Sequence, residues 1–265
     1  MNAVAELGDP AGIATYREWR GVAADDVRCL WAAPASAGPQ PVVPDGCLDL
    51  IWRHGQLFVA GPDTQLVVVP QGGPTVGVRF RPGRAGAALG LSPRDLLDER
   101  APLADLWGLD AERLHEQLIQ SADAVSAAQH IANAVAFRLS CTRGSSPCPD
   151  PIAAEAVRRI EGAQGRVRVS LLAAELQIGE RQLRERVTTQ VGYGPKMFAR
   201  VVRLQAALRA LHREPADLAD LADLAQATGF ADQAHLTREV HAMTGLTPGE
   251  HRAEIFKTPS LGSTT

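Results

Sequence analysis

The run Glu180-Arg181-Gln182-Leu183-Arg184-Glu185-Arg186 crowds arginine, glutamine and glutamate around a single leucine. These side chains carry the donors and acceptors that match base-pair edges. Arg can bond O6 and N7 of guanine as a pair, Gln can do the same for adenine, and Glu can accept from cytosine N4. A second set, Gln233, His235, Thr237 and Arg238, follows further along the chain. The alternative for both sets is a solvated helix face, where such residues usually lie. The elements that carry them decide between the two.

Val169, Leu172, Ala173 and Leu176 fall at i, i+3, i+4 and i+7, one face of a short helix. Gly179 stands where a second helix should begin, and Gly is an acceptable N-cap. Leu183, Val187 and Val191 then recur every four residues. Two short helices joined by a tight turn make a helix-turn-helix. Gln177 falls in that turn, where a left-handed backbone costs a non-glycine residue about 1 kcal/mol. The plan repeats downstream. Leu221, Leu224 and Ala225 form a scaffold face, Gly229 the turn, Asp232 a cap, and Leu236 and Val240 the inward face of the next helix. His235 can equally be a partly buried helix residue with one satisfied nitrogen. Between the units, Phe198, Val201, Leu204, Leu208 and Leu211 keep helical spacing from Pro195 to His212. That helix would hold the units apart, and neighbouring major-groove segments on one face of DNA lie about 34 Å apart.

The downstream copy, Leu224-Ala225, Gly229-Phe230-Ala231-Asp232-Gln233-Ala234-His235-Leu236-Thr237-Arg238, then Gly245-Leu246-Thr247-Pro248 and Arg252, resembles the C-terminal signature of the AraC/XylS family of bacterial transcription regulators. The upstream copy, Leu172 to Leu183 followed by Gly192-Tyr193-Gly194-Pro195, resembles it less closely, with Gln177 in place of the usual Gly and Gly179 in place of Ser. The resemblance implies a sequence-specific transcription regulator acting on double-stranded DNA. It points to Arg181, Arg184 and Glu185 as base readers, with Gln182, Arg186, Gln233, His235, Thr237 and Arg238 completing the expected DNA-binding set.

Charge divides the two units. Residues 158–213 carry twelve Lys or Arg against four acids, a net of +8. Residues 214–257 carry three bases against eight acids, a net of −5. Phosphate neutralisation supplies most non-specific affinity, so the first unit is expected to grip DNA more firmly. Much of the acid comes from three tandem Ala-Asp-Leu triplets, Ala216 to Leu224. These read as a lengthened scaffold helix, with an RNA polymerase contact patch as the alternative.

The front half differs. A chain of 265 residues favours two domains. We expect an α+β protein: an N-terminal sensor or dimerisation domain over 1–140, a linker over 141–151, a DNA-binding domain over 152–256 and a disordered tail over 257–265. The linker segment is dense in Pro, Ser and Gly. No run of eighteen apolar residues suggests a membrane span, and no basic, apolar leader opens the sequence. Cys29, Cys47, Cys141 and Cys148 form no CxxC pair and suggest reduced thiols. The expected location is therefore the cytoplasm, on the nucleoid.

Short β-rich runs, Tyr16–Trp19, Val27–Ala32, Cys47–Arg53, Leu57–Ala60, Leu66–Val69 and Val76–Phe80, are separated by turn residues. They predict a small antiparallel barrel or sandwich. Residues 84–140 turn helical. Val125, Ala128, Ile131, Ala132, Val135 and Leu139 make an apolar stripe that either packs on the sheet or forms a homodimer seam. Pro44 to Trp52, Ala60-Gly61-Pro62 and Gly77 to Gly83 resemble an uncharacterised domain fused to AraC-type regulators, with a degenerate cupin-like barrel as one form. That resemblance implies sensing or dimerisation. No His-x-His plus carboxylate set is present for a cupin metal, so neither metal nor cofactor is expected. Alternation along the strands puts Leu48, Leu50 and Trp52 on one face and Cys47, Asp49 and Ile51 on the other.

For a small-molecule effector the candidate pocket residues are Trp31, Trp52, Cys47 and Arg79, because aromatic walls are common in such sites. Core packing of the indoles, and pairing of Arg79 with Asp45 or Asp49, are the alternatives. Two other functions compete with effector sensing. One is a front domain that only dimerises. The other is a cysteine-dependent alkyl acceptor with Cys47 as nucleophile, for which no general base stands at a recognisable spacing.

Overall fold

The computed structural model describes residues 15–23, 25–141, 149–213 and 221–255, with the side chains of 212, 213 and 252–255 excepted. The linker centre, most of the Ala-Asp-Leu triplets, Cys148 and the tail lie outside the described residues.

The β-rich runs of the front half become β1 (Arg17–Trp19), β2 (Val27–Ala33), β3 (Gln40–Val42), β4 (Asp49–Arg53), β5 (Gln56–Ala60), β6 (Val67–Val69), β7 (Thr75–Phe80) and β8 (Arg100–Pro102). Six form one sheet in the order β1-β2-β7-β4-β5-β8, and β3 pairs with β6 in a separate ribbon. Every pairing is antiparallel. The sheet is open rather than a closed barrel: β1 and β8 end it with three residues each. The sequence reading has no counterpart for β3 or β8: Gln40-Pro41-Val42 and Arg100-Ala101-Pro102 each contain a proline and lack a β-rich run.

Register sorts the two sheet faces. Leu30, Val78, Leu50 and Val59 stand in one row across β2, β7, β4 and β5, and all are fully buried. They meet α4 (Ala124–Cys141), which follows α1 (Ala85–Leu89), a single 3-10 turn (Pro93–Leu96), α2 (Leu103–Trp107) and α3 (Leu109–Ile119). Ala128, Ile131, Ala132 and Val135 of α4 are buried in the same core. The apolar stripe is thus spent on packing, and the proposed dimer seam loses its residues. Burying each large aliphatic side chain contributes about 1.5–3 kcal/mol. The opposite face holds the rows Cys29-Arg79-Asp49 and Trp31-Gly77-Ile51. Gly77 is needed there because a Cβ would lie 2.7 Å from the Trp31 ring.

The C-terminal half is helical: α5 (Pro151–Gly162), α6 (Val169–Glu175), α7 (Glu180–Val191), α8 (Pro195–Arg213), α9 (Leu221–Thr228), α10 (Gln233–Thr244) and α11 (Pro248–Ile255). Phe198, Val201, Leu204, Leu208 and Leu211 bury one side of α8 in a core shared with both units. The sequence reading also lacks α5, although Asp150-Pro151 carries its start signal. The Asp150 carboxylate accepts from the Ile152 and Ala153 amides, and Pro suits the first helical turn.

The two halves are packed together. Val43 and Leu97 pack against the helical core. Arg28 pairs with Glu161 at 3.0 Å, and the Gln205 amide donates to the Pro44 carbonyl at 2.8 Å.

Candidate nucleic-acid interface

The first unit begins with α6, whose Leu172 and Ala173 are buried. Gln177 takes the left-handed turn at φ 56, as the sequence anticipates. Gly179 caps α7 in extended backbone. Having no side chain, it cannot satisfy an amide of the first turn. The Gln182 side chain instead accepts from the Gly179 amide at 3.4 Å. Leu183, Val187 and Val191 are fully buried. At about 100° per residue, Glu185 then stands at the middle of the outward side of α7, flanked by Gln182 and Thr189. Arg181 and Arg184 are exposed.

Three of the expected readers are already engaged. Gln182 closes the α7 N-terminus. Arg186 pairs with Asp150 and so ties α7 to the start of α5. Glu185 pairs with Arg94 of the front domain at 2.9 Å. Arg181 and Arg184 line a groove of about 670 Å³ between α7 and the start of α8, with Thr188, Lys196 and Arg200. Lys196 is a further cation beside α7. Its signal in the sequence is its place directly after Pro195, at the start of the long helix.

The second unit copies the plan with different chemistry. Leu236 and Val240 are fully buried. The Asp232 carboxylate accepts from the His235 amide at 2.6 Å, capping α10 as expected. His235 Nδ1 accepts from the Ala231 amide at 3.3 Å, and its ring meets Phe230 edge-on. His235 therefore serves the helix start. Gln233 and Arg238 are exposed and Thr237 half-buried. Arg238 holds the outward position of α10, two residues after Leu236, that Glu185 holds two residues after Leu183.

Two arginines of the long helix serve assembly. Arg200 forms a two-point pair with Glu239 of α10. Arg203 stacks on the Phe230 ring at 5.3 Å and donates to the Gly229 carbonyl. Burial lowers the Arg203 pKa.

The front-domain candidates divide between the two sheet faces, with Trp52 apart from the rest. Trp31 and Trp52 belong to rows on opposite faces of the sheet, so they cannot line one pocket. Arg79 makes a two-point pair with Asp49 and a third contact to Asp45 at 3.3 Å, which uses the acids the sequence offered as its alternative partners. Cys47 is buried and accepts from Arg28 at 3.2 Å. Burial pushes its thiol well above the usual range, opposite to what a nucleophile needs. A separate groove of about 560 Å³ runs beside β5, lined by Leu57, Phe58, Val67, Val69, Arg53 and Arg100 among others. Leu57 is the register partner of Trp52.

A pair of helix-turn-helix units on a shared long helix is a DNA-binding architecture. Residues 172–254 match the helix-turn-helix domain family, and residues 24–102 match a domain of unknown function, DUF6597. No curated protein matches the chain. Among solved structures, an AraC-type transcriptional regulator from Chromobacterium violaceum is 22% identical over 42% of this chain and 96% of its own, with a TM-score of 0.37. A probable AraC family regulator from Rhodopseudomonas palustris is 26% identical over 40% and 97%, at 0.35. ToxT from Vibrio cholerae is 10% identical over 91% and 98%, at 0.44. The chain carries a helix-turn-helix domain, a DNA-binding module, behind a DUF6597 domain. Among the described residues, no helix is long and apolar enough to cross a membrane.

Proposed function

We propose that the protein is a one-component regulator in which α7 and α10 read the operator and the front domain passes a small-molecule signal to them. One observation supports this above the others: the front domain holds the C-terminal ends of both recognition helices. The Ser92 hydroxyl donates to the Thr189 carbonyl in the last turn of α7, and the Leu66 amide donates to the Met243 carbonyl in the last turn of α10. A domain placed there can move both readers together.

Arg181 and Arg184 are the base readers of the first unit, with Lys196 on phosphate. Gln233 and Arg238 serve the second. The groove along β5 is the effector site. Its size suits a small ligand, its walls are mostly apolar, and Arg53 and Arg100 are among its lining residues. The alternative of a front domain that only dimerises is weakened by the burial of the α4 stripe.

The test selects an operator from random duplex DNA with the full chain. Operator affinity and tryptophan fluorescence are then followed while small organic acids and neutral metabolites are titrated in. We expect at least one compound to shift both signals and to lose its effect in Phe58→Ala. Compounds that bind without changing operator affinity would leave the front domain as a passive partner.

A further inference from the structure

Glu185 occupies the middle of the outward side of α7, away from Leu183, Val187 and Val191. Its partner is not in the DNA-binding domain. Arg94 Nη2 lies 2.9 Å from Glu185 Oε1, and the two side chains are 45% and 66% exposed. Arg94 reaches that point from a fixed support. Ser92 Oγ accepts from the Arg94 amide at 3.3 Å while donating to the Thr189 carbonyl at 2.7 Å. The Pro93 carbonyl abuts Gly192 at the end of α7.

We propose that Arg94 is a positioning residue for operator reading, which makes the front domain part of the specificity apparatus of the first unit. The inference rests on α7 being an operator reader. An exposed ion pair adds little stability, so the consequence of this one lies in where it puts the carboxylate. A lone carboxylate entering a groove lined by phosphates is repelled by them. With one oxygen held by Arg94, the charge is offset and the other oxygen is free to accept from cytosine N4. A neighbour outside the DNA-binding domain thus sets which base Glu185 tolerates.

The experiment selects binding sites from randomised duplex DNA with the full chain, comparing wild type, R94A, R94K, E185A and the double variant R94A/E185A. The base position at which E185A erases preference is the one Glu185 reads. We expect R94A to weaken preference at that position about five- to tenfold, within the range of one good base contact. R94K should restore most of it, and the double variant should be no worse than E185A alone. Preferences elsewhere in the site should stay put, which a general loss of folding would not produce. Unchanged preference in R94A overturns the inference alone. So does a gain in affinity shared equally by all sequences, since Arg94 would then merely withhold Glu185 from DNA. If E185A alters no position, the inference falls because Glu185 reads nothing. A wild-type chain that selects no sequence overturns operator reading and this inference with it.

Discussion

The Ser92 hydroxyl donates across the domain boundary to the carbonyl of Thr189, 2.7 Å away in the last turn of α7. The last four carbonyls of a helix have no partner within it, so this bond satisfies a group that α7 itself cannot. Leu66 does the same for Met243 in α10, at 3.0 Å. One body therefore caps both recognition helices at their far ends and leaves their N-terminal halves, the usual base-contacting part, uncovered by these bonds.

The seat at α7 depends on Gly192. Its φ is +104°, and a Cβ there would stand 2.5 Å from Pro62 Cγ and 3.1 Å from the Pro93 carbonyl oxygen. Gly192→Ala combines a backbone penalty of about 1 kcal/mol with a clash against two prolines of the other domain. Ser92→Ala strands the Thr189 carbonyl and removes the acceptor of the Arg94 amide, at a cost of about 1 kcal/mol for each. Urea unfolding of the full chain should rank Gly192→Ala as the more damaging of the two. Equal stability of Gly192→Ala and wild type would mean that the domains do not sit as described.

Sequence pattern made the two units legible because their helices keep an apolar period and α7 and α10 begin at recognisable caps. Asp232 as N-cap, the left-handed Gln177 and the inward faces of α7 and α10 all follow from local rules. The strands followed from alternation wherever they exceed four residues. Local rules could not show where side chains meet across elements. Arg79 turning to Asp49 and Asp45, the separation of Trp31 from Trp52 by register, the use of Arg186 and Arg200 as ties, and the Arg94 partner of Glu185 all depend on tertiary neighbours. The same residue types would serve DNA equally well on an unpacked helix, so composition alone overcounts the readers.

The first unit contains two correctable local defects. Gln177 sits at φ 56, and Gly179 caps α7 without a side chain in an extended backbone that any residue can adopt, with open space where a Cβ would go. Gln177→Gly should stabilise the domain by about 1 kcal/mol by relieving the left-handed strain. Gly179→Ser should add a few tenths of a kcal/mol or more, through a hydroxyl that accepts from an amide of the first turn. Thermal unfolding followed at 222 nm would register both as higher midpoints. A lower midpoint for Gly179→Ser would show that the Gln182 arrangement is the better cap.

The thiols give a pH dependence with a defined sign. Burial pushes Cys29 up to about 12, and raises Cys47 as well. Cys141 is exposed. In a Cys148→Ser background at pH 8, a thiol reagent should label Cys141 quickly and the two buried thiols only on unfolding. Above the ordinary thiol pKa of about 8.5 the unfolded chain loses protons that the folded chain keeps. Stability should therefore be intact below about pH 8.5 and fall as pH rises towards 12. Cys29→Ala should flatten part of that decline; an unchanged slope would assign it to half-buried Tyr16 and buried Tyr193, whose hydroxyl pKa values desolvation also raises.

DNA binding should depend unequally on the two units. The groove beside α7 gathers Arg181, Arg184 and Lys196, whereas the outward side of α10 offers Arg238 with Gln233 and lies in the acidic part of the chain. Arg181→Ala and Arg184→Ala should each cost about 1–3 kcal/mol of discrimination if they hold a guanine. Lys196→Ala should weaken all sequences alike and reduce the salt slope by about one. Arg238→Ala should do less damage than either change in α7. Arg200→Ala belongs to another class. Its guanidinium is held by Glu239, so its loss should loosen α10 from α8 and lower stability, and Glu239→Gln should mimic it, while a phosphate contact would instead be strengthened by removing that acid. Titrations on the selected operator at two salt concentrations, run beside unfolding curves, separate the cases. If Arg238→Ala proves the most damaging single change, the second unit is the dominant reader and the charge argument fails.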